Sequence, residues 1–535
     1  MSHVVPPFPQ PAGSPGSRPS AAQPPFTGTP FGRRVAAVAP VLPAVAVVAL
    51  LALPVDPGGG GGATAADVAS GALVVYCALR LVRRRQRPLS VTAAAVLGLP
   101  VVGFAAAALG APSPGEGLAG FGRYLQVFVL VPAAVVLLLR HRADLRLLAW
   151  SLVGLALWQG ALGVHQYATG TGASYRGEDI RAVGTFGATD VMGMAAVVSF
   201  GVVCAVGLAL GAGGVRQRVG ALVCALALLA PLALSFSRGA WIATAVACGA
   251  QLLLAGVRRA LRVLAVVVAA GLVLVGGFGV GSSMLQERLS SIGQVTDAPD
   301  QSVTDRYTMW AAAVDMWSDH PLTGVGLKGF PEHRDGYASL ALSSGSDTEG
   351  AGAAFRKQPL LSPHNMYLLV LSEQGLLGVT TLVGGWLALL VCGVRGLVRV
   401  RRGTPGAYGA PGACGTGGPC GTGGPCGTPG SYAPSRTPGA HGGARPRIGA
   451  RAGASRGAGA GVPRGLDCAL VACGLLIWQL IDFAYGDIGG PSTALTAVCL
   501  GLVARWALAD PACAAAPPVR PRTHAPSSPK EAAAR

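Results

Sequence analysis

Residues 365–394 read NMYLLVLSEQGLLGVTTLVGGWLALLVCGV and are followed by Arg395, Arg399, Arg401 and Arg402. One carboxylate, Glu373, interrupts an otherwise apolar run. About 20 apolar residues suffice for a helix to cross a bilayer, and a basic cluster at one end marks the cytoplasmic side. The same unit recurs along the chain. Apolar runs near 35–55, 64–82, 89–110, 119–139, 145–164, 189–211, 219–236 and 239–255 precede it, with a ninth ending near 281. Two more follow, near 468–485 and 491–509. Arg33-Arg34, Arg83 to Arg87, Arg140-His141-Arg142, Arg216 with Arg218, and Arg258 to Arg262 fall on one side of this alternation. The pattern predicts an all-α polytopic membrane protein with about 12 transmembrane helices and both termini cytoplasmic, in the cell membrane.

Composition agrees. The 535-residue chain is 12% charged, with a mean hydropathy of +0.52. Its net charge of +18 sits in short segments between apolar runs and in the tails, which argues against a nucleic-acid partner and for a lipid bilayer. Seven of the cysteines (Cys77, Cys204, Cys224, Cys248, Cys392, Cys473 and Cys499) lie in apolar runs. Cys414, Cys420 and Cys426 belong to a CGTGGP repeat whose spacing is too wide for a C-x2-C zinc pair. No metal or cofactor is expected.

The organisation follows. Residues 1–32 read as a disordered cytoplasmic tail without a cleavable leader, and 33–164 as the first five membrane helices. A core of 165–395 contains the outward loop 282–363. A basic Gly/Pro-rich linker, 396–466, precedes the last two helices in 467–510, and 511–535 is a second disordered tail. The 282–363 loop holds ten carboxylates against six Lys or Arg, unlike the basic segments, which places it outside. Within it Trp310, Ala313, Val314 and Trp317 recur at helical spacing, predicting a short amphipathic helix against the membrane surface with the Trp rings at headgroup level. His320-Pro321 ends that helix. Gly324-Val325-Gly326-Leu327-Lys328-Gly329 matches G-x-G-x-x-G, but no strand precedes it, so a tight turn is the expected use.

Chemistry-bearing residues collect at the outer side. His364, in Ser362-Pro363-His364-Asn365, has an imidazole that titrates near working pH and suits a general base. Arg181, Arg238 and Arg306 map to the same surface, and a guanidinium fork suits phosphate oxyanions. Among the spans, Asp482 stands out as an ionisable group, towards the outer end.

In order, four segments resemble the O-antigen ligase and polymerase family. They are Arg181-Ala182-Val183-Gly184-Thr185-Phe186-Gly187 with Asp190; Leu234-Ser235-Phe236-Ser237-Arg238-Gly239-Ala240-Trp241; Arg306 to Trp310 with Pro321-Leu322, Gly324 and Gly326; and His364-Asn365 with Tyr367-Leu368, Gly375 and Gly378. The resemblance covers roughly 165–395; Asp190 stands where the family has Asn. It implies a metal-independent membrane glycosyltransferase. A glycan would pass from a polyprenyl-diphosphate carrier to a hydroxyl of a glycan, lipid or protein acceptor during surface polysaccharide assembly. His364 would act on the acceptor. Arg238 and Arg306 would bind the diphosphate, with Arg181, Asn365 and Tyr367 as further substrate-binding candidates. The alternative is a small-anion, bicarbonate-like transporter, which would place ionisable groups or broken helices near the bilayer midplane.

Overall fold

The computed structural model describes residues 38–54, 64–84, 89–175, 179–186, 190, 192–211, 213–278, 301–343, 346–348, 356–358, 360–402, 465–490 and 492–508. The expected tails 1–32 and 511–535, most of the 396–466 linker and parts of the 282–363 loop lie outside the described residues. The described residues are helical apart from turns and two antiparallel ribbons, Ala173–Tyr175 with Asp179–Arg181 and Ser346–Thr348 with Arg356–Gln358.

Among the described residues, eight helices are long and apolar enough to cross a membrane: Ala65–Arg83, Val91–Leu109, Pro114–Leu138, Arg142–Thr169, Gly193–Leu210, Val215–Leu234, Arg238–Ala255 and Met366–Arg402. Four expected spans take other forms. Leu42–Leu50 has nine residues, a rise of about 14 Å. Leu466–Asp482 has 17 and Thr493–Ala507 has 15, short of the roughly 30 Å hydrocarbon layer. Both are packed in protein for almost their whole length. Val257–Phe278 has 22 residues, with side chains described only in part. Hydropathy alone does not separate such helices from full spans, because the turns flanking buried helices are as apolar as the helices.

The bundle has a basic end. There Arg218 donates to the Ala209 carbonyl at 3.1 Å, Arg259 to Leu210 at 3.1 Å and Arg401 to Leu254 at 2.9 Å. Arg505 reaches the carbonyls of Leu139 and Arg140, and Arg146 pairs with the buried Asp467. Each carbonyl cluster is a helix C-terminus, where unpaired acceptors and the helix dipole favour cations. The other end of the bundle carries the polar loops.

At that loop end the stretch 365–394 departs from its reading as one span. Met366–Arg402 breaks at Gly375, whose φ of 60° and ψ of −160° are non-helical. Tyr367 and Trp386 would lie about 28 Å apart on a straight helix, yet their ring centroids are 6.3 Å apart. The chain therefore folds back at Gly375. Residues 366–374 rise from the loop end as a short arm, and 376–402 descend as the membrane-crossing arm.

Residues 321–326 fill the break. In an unbroken helix Leu376 N–H would bond to the Ser372 carbonyl and Leu377 N–H to Glu373. Instead Val325 N–H donates to Ser372 at 2.8 Å and Gly326 N–H to Glu373 at 3.1 Å. Leu376 N–H donates to the Pro321 carbonyl at 2.9 Å and Leu377 N–H to Leu322 at 3.1 Å. Leu327 N–H adds a bond to Ala107 at 3.0 Å. A Cβ on Gly324 would overlap the Glu373 backbone, and one on Gly375 the Leu322 backbone. The G-x-G turn is thus a backbone splice between loop and helix.

The splice also seats Gln301–Asp319, whose fully buried stripe is Met309, Ala312, Ala313 and Met316. These face protein; of the expected Trp310, Ala313, Val314 and Trp317 face only Ala313 is fully buried. Trp310 N–H donates to the Pro363 carbonyl at 2.9 Å. Replacing Gly375 by Ala forces a side chain into a left-handed position against the loop backbone. The melting temperature of the solubilised protein should fall by several degrees, whereas Gly220→Ala, on an open helix surface, should leave it unchanged within about a degree.

Candidate active site

The turn Ser362-Pro363-His364-Asn365 opens the short arm. Asn365 caps it, its side-chain oxygen accepting from Tyr367 N–H at 3.0 Å and Leu368 N–H at 3.1 Å. Met366 N–H donates to Phe483 at 2.8 Å and to Gly486 at 3.0 Å. These bonds, with that of Trp310, fix both flanks of His364. The histidine itself has φ of 48°, a conformation that costs a non-glycine residue roughly 1–3 kcal/mol and persists only where neighbours impose it.

The 483–490 turn, which follows Leu466–Asp482, brings Asp487 to this histidine. The Asp487 carboxylate lies 4.0 Å from His364 Nδ1 and accepts from the Ser362 hydroxyl. The His364 side chain is 45% exposed and that of Asp487 12% exposed, so the imidazole is partly accessible while its carboxylate partner stays inside. Burial pulls the His364 pKa below its ordinary value; Asp487 opposes this, and Arg306 adds to it. The neutral imidazole is favoured, and its distal nitrogen can accept a proton. Arg306 is half-buried on Gln301–Asp319 and forms no hydrogen bond or ion pair with the described residues. Burial lowers its pKa without bringing it near neutrality.

The remaining predicted residues surround this centre unequally. Arg238 is exposed at the start of Arg238–Ala255, whose Ser237 cap accepts from Ala240 N–H at 3.3 Å. The next residue, Gly239, packs on Tyr485, two positions before Asp487. Tyr367 turns into the bundle, its hydroxyl donating to Leu480 at 2.6 Å. The Arg181 backbone lies in the 179–181 strand, and its side chain lies outside the described residues. The segment after it joins the Arg238 turn through Ala182 N–H to Leu234 at 3.3 Å. Asp190 accepts from Ser492 N–H at 3.1 Å, and burial raises its pKa. It thereby holds the far end of the turn that carries Asp487.

Sequence reading missed Asp487, Gln159 and Gln166. The two glutamines clamp the 182–186 segment. Gln166 accepts from Val183 and Gly184 at 3.1 and 2.9 Å, and Gln159 accepts from Thr185 at 2.9 Å. Two amides on the loop-side half of an apolar helix were the available signal. Asp487 offered only a carboxylate in a short turn between the last two apolar runs. Among the described residues no three His, Cys, Asp or Glu side chains converge as metal ligands.

A direct check on this electrostatic arrangement is the His364 titration followed by NMR of ring-labelled histidine. Removing the anion in Asp487→Asn destabilises the imidazolium, so the midpoint should move to lower pH. Removing the cation in Arg306→Ala should move it higher. A midpoint unmoved by Asp487→Asn would show that the carboxylate does not face the ring.

No curated protein matches the chain. Residues 221–383 match the family described as O-Antigen ligase. That range is narrower than the 165–395 resemblance, and it contains Arg238, Arg306 and His364 but neither Arg181 nor Asp487. Residues 221–383 are thus similar to the O-antigen ligase family, within a chain whose apolar helices mark an integral membrane protein.

Proposed function

We propose that the protein transfers a glycan from a polyprenyl-diphosphate carrier to an acceptor hydroxyl at the outer face of the cytoplasmic membrane. The observation that carries this reading is a partly exposed His364 set against Asp487 and under the influence of the Arg306 charge, in a segment that matches the O-antigen ligase family. In this reading the distal His364 nitrogen takes the acceptor proton as the acceptor oxygen forms its bond to the anomeric carbon. Asp487 orients the ring and stabilises the imidazolium. The carrier diphosphate departs with the bonding electrons, and Arg306 and Arg238 offset its growing charge. Arg181 is a further binder of the carrier. Asn365 shapes the turn that aims His364, and Tyr367 supports it from within.

The basic end of the bundle is the cytoplasmic one by the charge rule, with both termini there and twelve helical segments in the membrane layer. Small-anion transport has no support. The break at Gly375 offers no open ion site, because residues 321–326 occupy the backbone groups that it frees.

Cells lacking the protein should accumulate polyprenyl-linked glycan and lose or shorten a surface glycan. His364→Ala or Arg306→Ala should insert normally at equal abundance and fail to restore transfer, a loss of at least about 100-fold for a general base. Normal transfer by either variant would remove that residue from the mechanism. Independently, alkaline phosphatase inserted after residue 343 should be active and one inserted in the 403–465 linker inactive; the reverse pattern would invert the orientation.

A further inference from the structure

The outward helix Gln301–Asp319 shows a second feature that catalysis as described does not use. Its protein-facing stripe is closed, with Met309, Ala312, Ala313 and Met316 fully buried. Tyr307 and Trp310 lie off that stripe. Tyr307 is 63% exposed, although it is an aromatic residue on a segment otherwise rich in carboxylates. It is nonetheless held in place, with its ring meeting Trp310 edge to face at 5.5 Å and 84°. Trp310 in turn is fixed by its bond to the Pro363 carbonyl, one residue before His364. Arg306, immediately before Tyr307, acts on His364 through its charge. Leu361, three residues before His364, is 59% exposed.

A fixed, exposed aromatic ring beside a proton acceptor and a cation is suited to one class of ligand. Pyranose rings carry a face of C–H groups that stack on aromatic faces while their hydroxyls stay in water. A flat platform can hold one sugar without imposing deep burial, and it leaves the adjoining residue free to reach the reacting atoms.

We infer that Tyr307 and Trp310 form a saccharide subsite at the mouth of the His364 centre, stacking a hexopyranose ring of the glycan being transferred. The subsite rests on the glycosyl-transfer reading and adds the component that reads the sugar, where the arginines serve the diphosphate. Trp310 also supports the His364 turn, so Tyr307 is the residue on which to test it.

The experiment uses full-length protein in lipid nanodiscs with polyprenyl-diphosphate-linked glycan extracted from cells lacking the protein. Tyr307→Ala should raise KM about tenfold with kcat within about threefold, and Tyr307→Phe, which keeps the ring, should return KM to within about twofold of the wild type. His364→Ala is the reference in the same assay. If it is inactive while Tyr307→Ala matches the wild type, the subsite is wrong and the catalytic reading stands. If His364→Ala is active, the catalytic reading itself fails. Equal losses in Tyr307→Ala and Tyr307→Phe would also overturn stacking. So would a KM rise that vanishes when detergent replaces the bilayer, since that would assign Tyr307 to the lipid surface.

Discussion

The backbone exchange at Gly375 is the constraint on which the loop end of this protein depends. A helix that reverses direction leaves Ser372, Glu373, Leu376 and Leu377 without their intrahelical partners. Each such group, if buried and unpaired, costs about 1–3 kcal/mol. Residues 321–326 present the complementary donors and acceptors in matching order. Each supplies the backbone partners the other lacks, so the loop and the broken helix form a single unit. The fit is intolerant of side chains at Gly324 and Gly375, where backbone meets backbone.

From that unit the site follows by short steps. The splice sets where Gln301–Asp319 lies, and that helix brings Arg306 and Trp310 to the turn 362–365. The same fold-back places Met366 against Phe483, which draws the Asp487 turn under His364. Phe483 then stacks on Trp386 of the descending arm at 4.8 Å, tying the site to the membrane-crossing scaffold. Precision in a loop site requires such bracing, because loop backbone has little order of its own.

Opposite the site, arginines bind helix C-termini. The contacts of Arg218, Arg259, Arg401 and Arg505 with terminal carbonyls satisfy acceptors that water would otherwise have to reach. The basic clusters that give the topology signal therefore also hold helix ends in register. The ion pair of Arg146 with buried Asp467 adds a contact between helices far apart in the chain.

What the amino-acid sequence by itself determined is the membrane class and most of the long helices, and it singled out His364, Arg238 and Arg306 as candidates. These are local or additive properties: hydropathy sums over a window, charge alternates between segments, and a short motif keeps its spacing. Several features were decided only by tertiary structure. The 365–394 run looks continuous because glycine in an apolar stretch does not announce a reversal, and the replacement hydrogen bonds come from residues about fifty positions earlier. Leu466–Asp482 and Thr493–Ala507 are shorter than a bilayer is thick, and surrounding helices bury most of their residues. Asp487 is over a hundred residues from His364, and a carboxylate in a turn has no signature until the fold sets it beside an imidazole. Pairing over such distances depends on which backbone groups remain unsatisfied once the helices pack, and that quantity does not exist in any window of sequence.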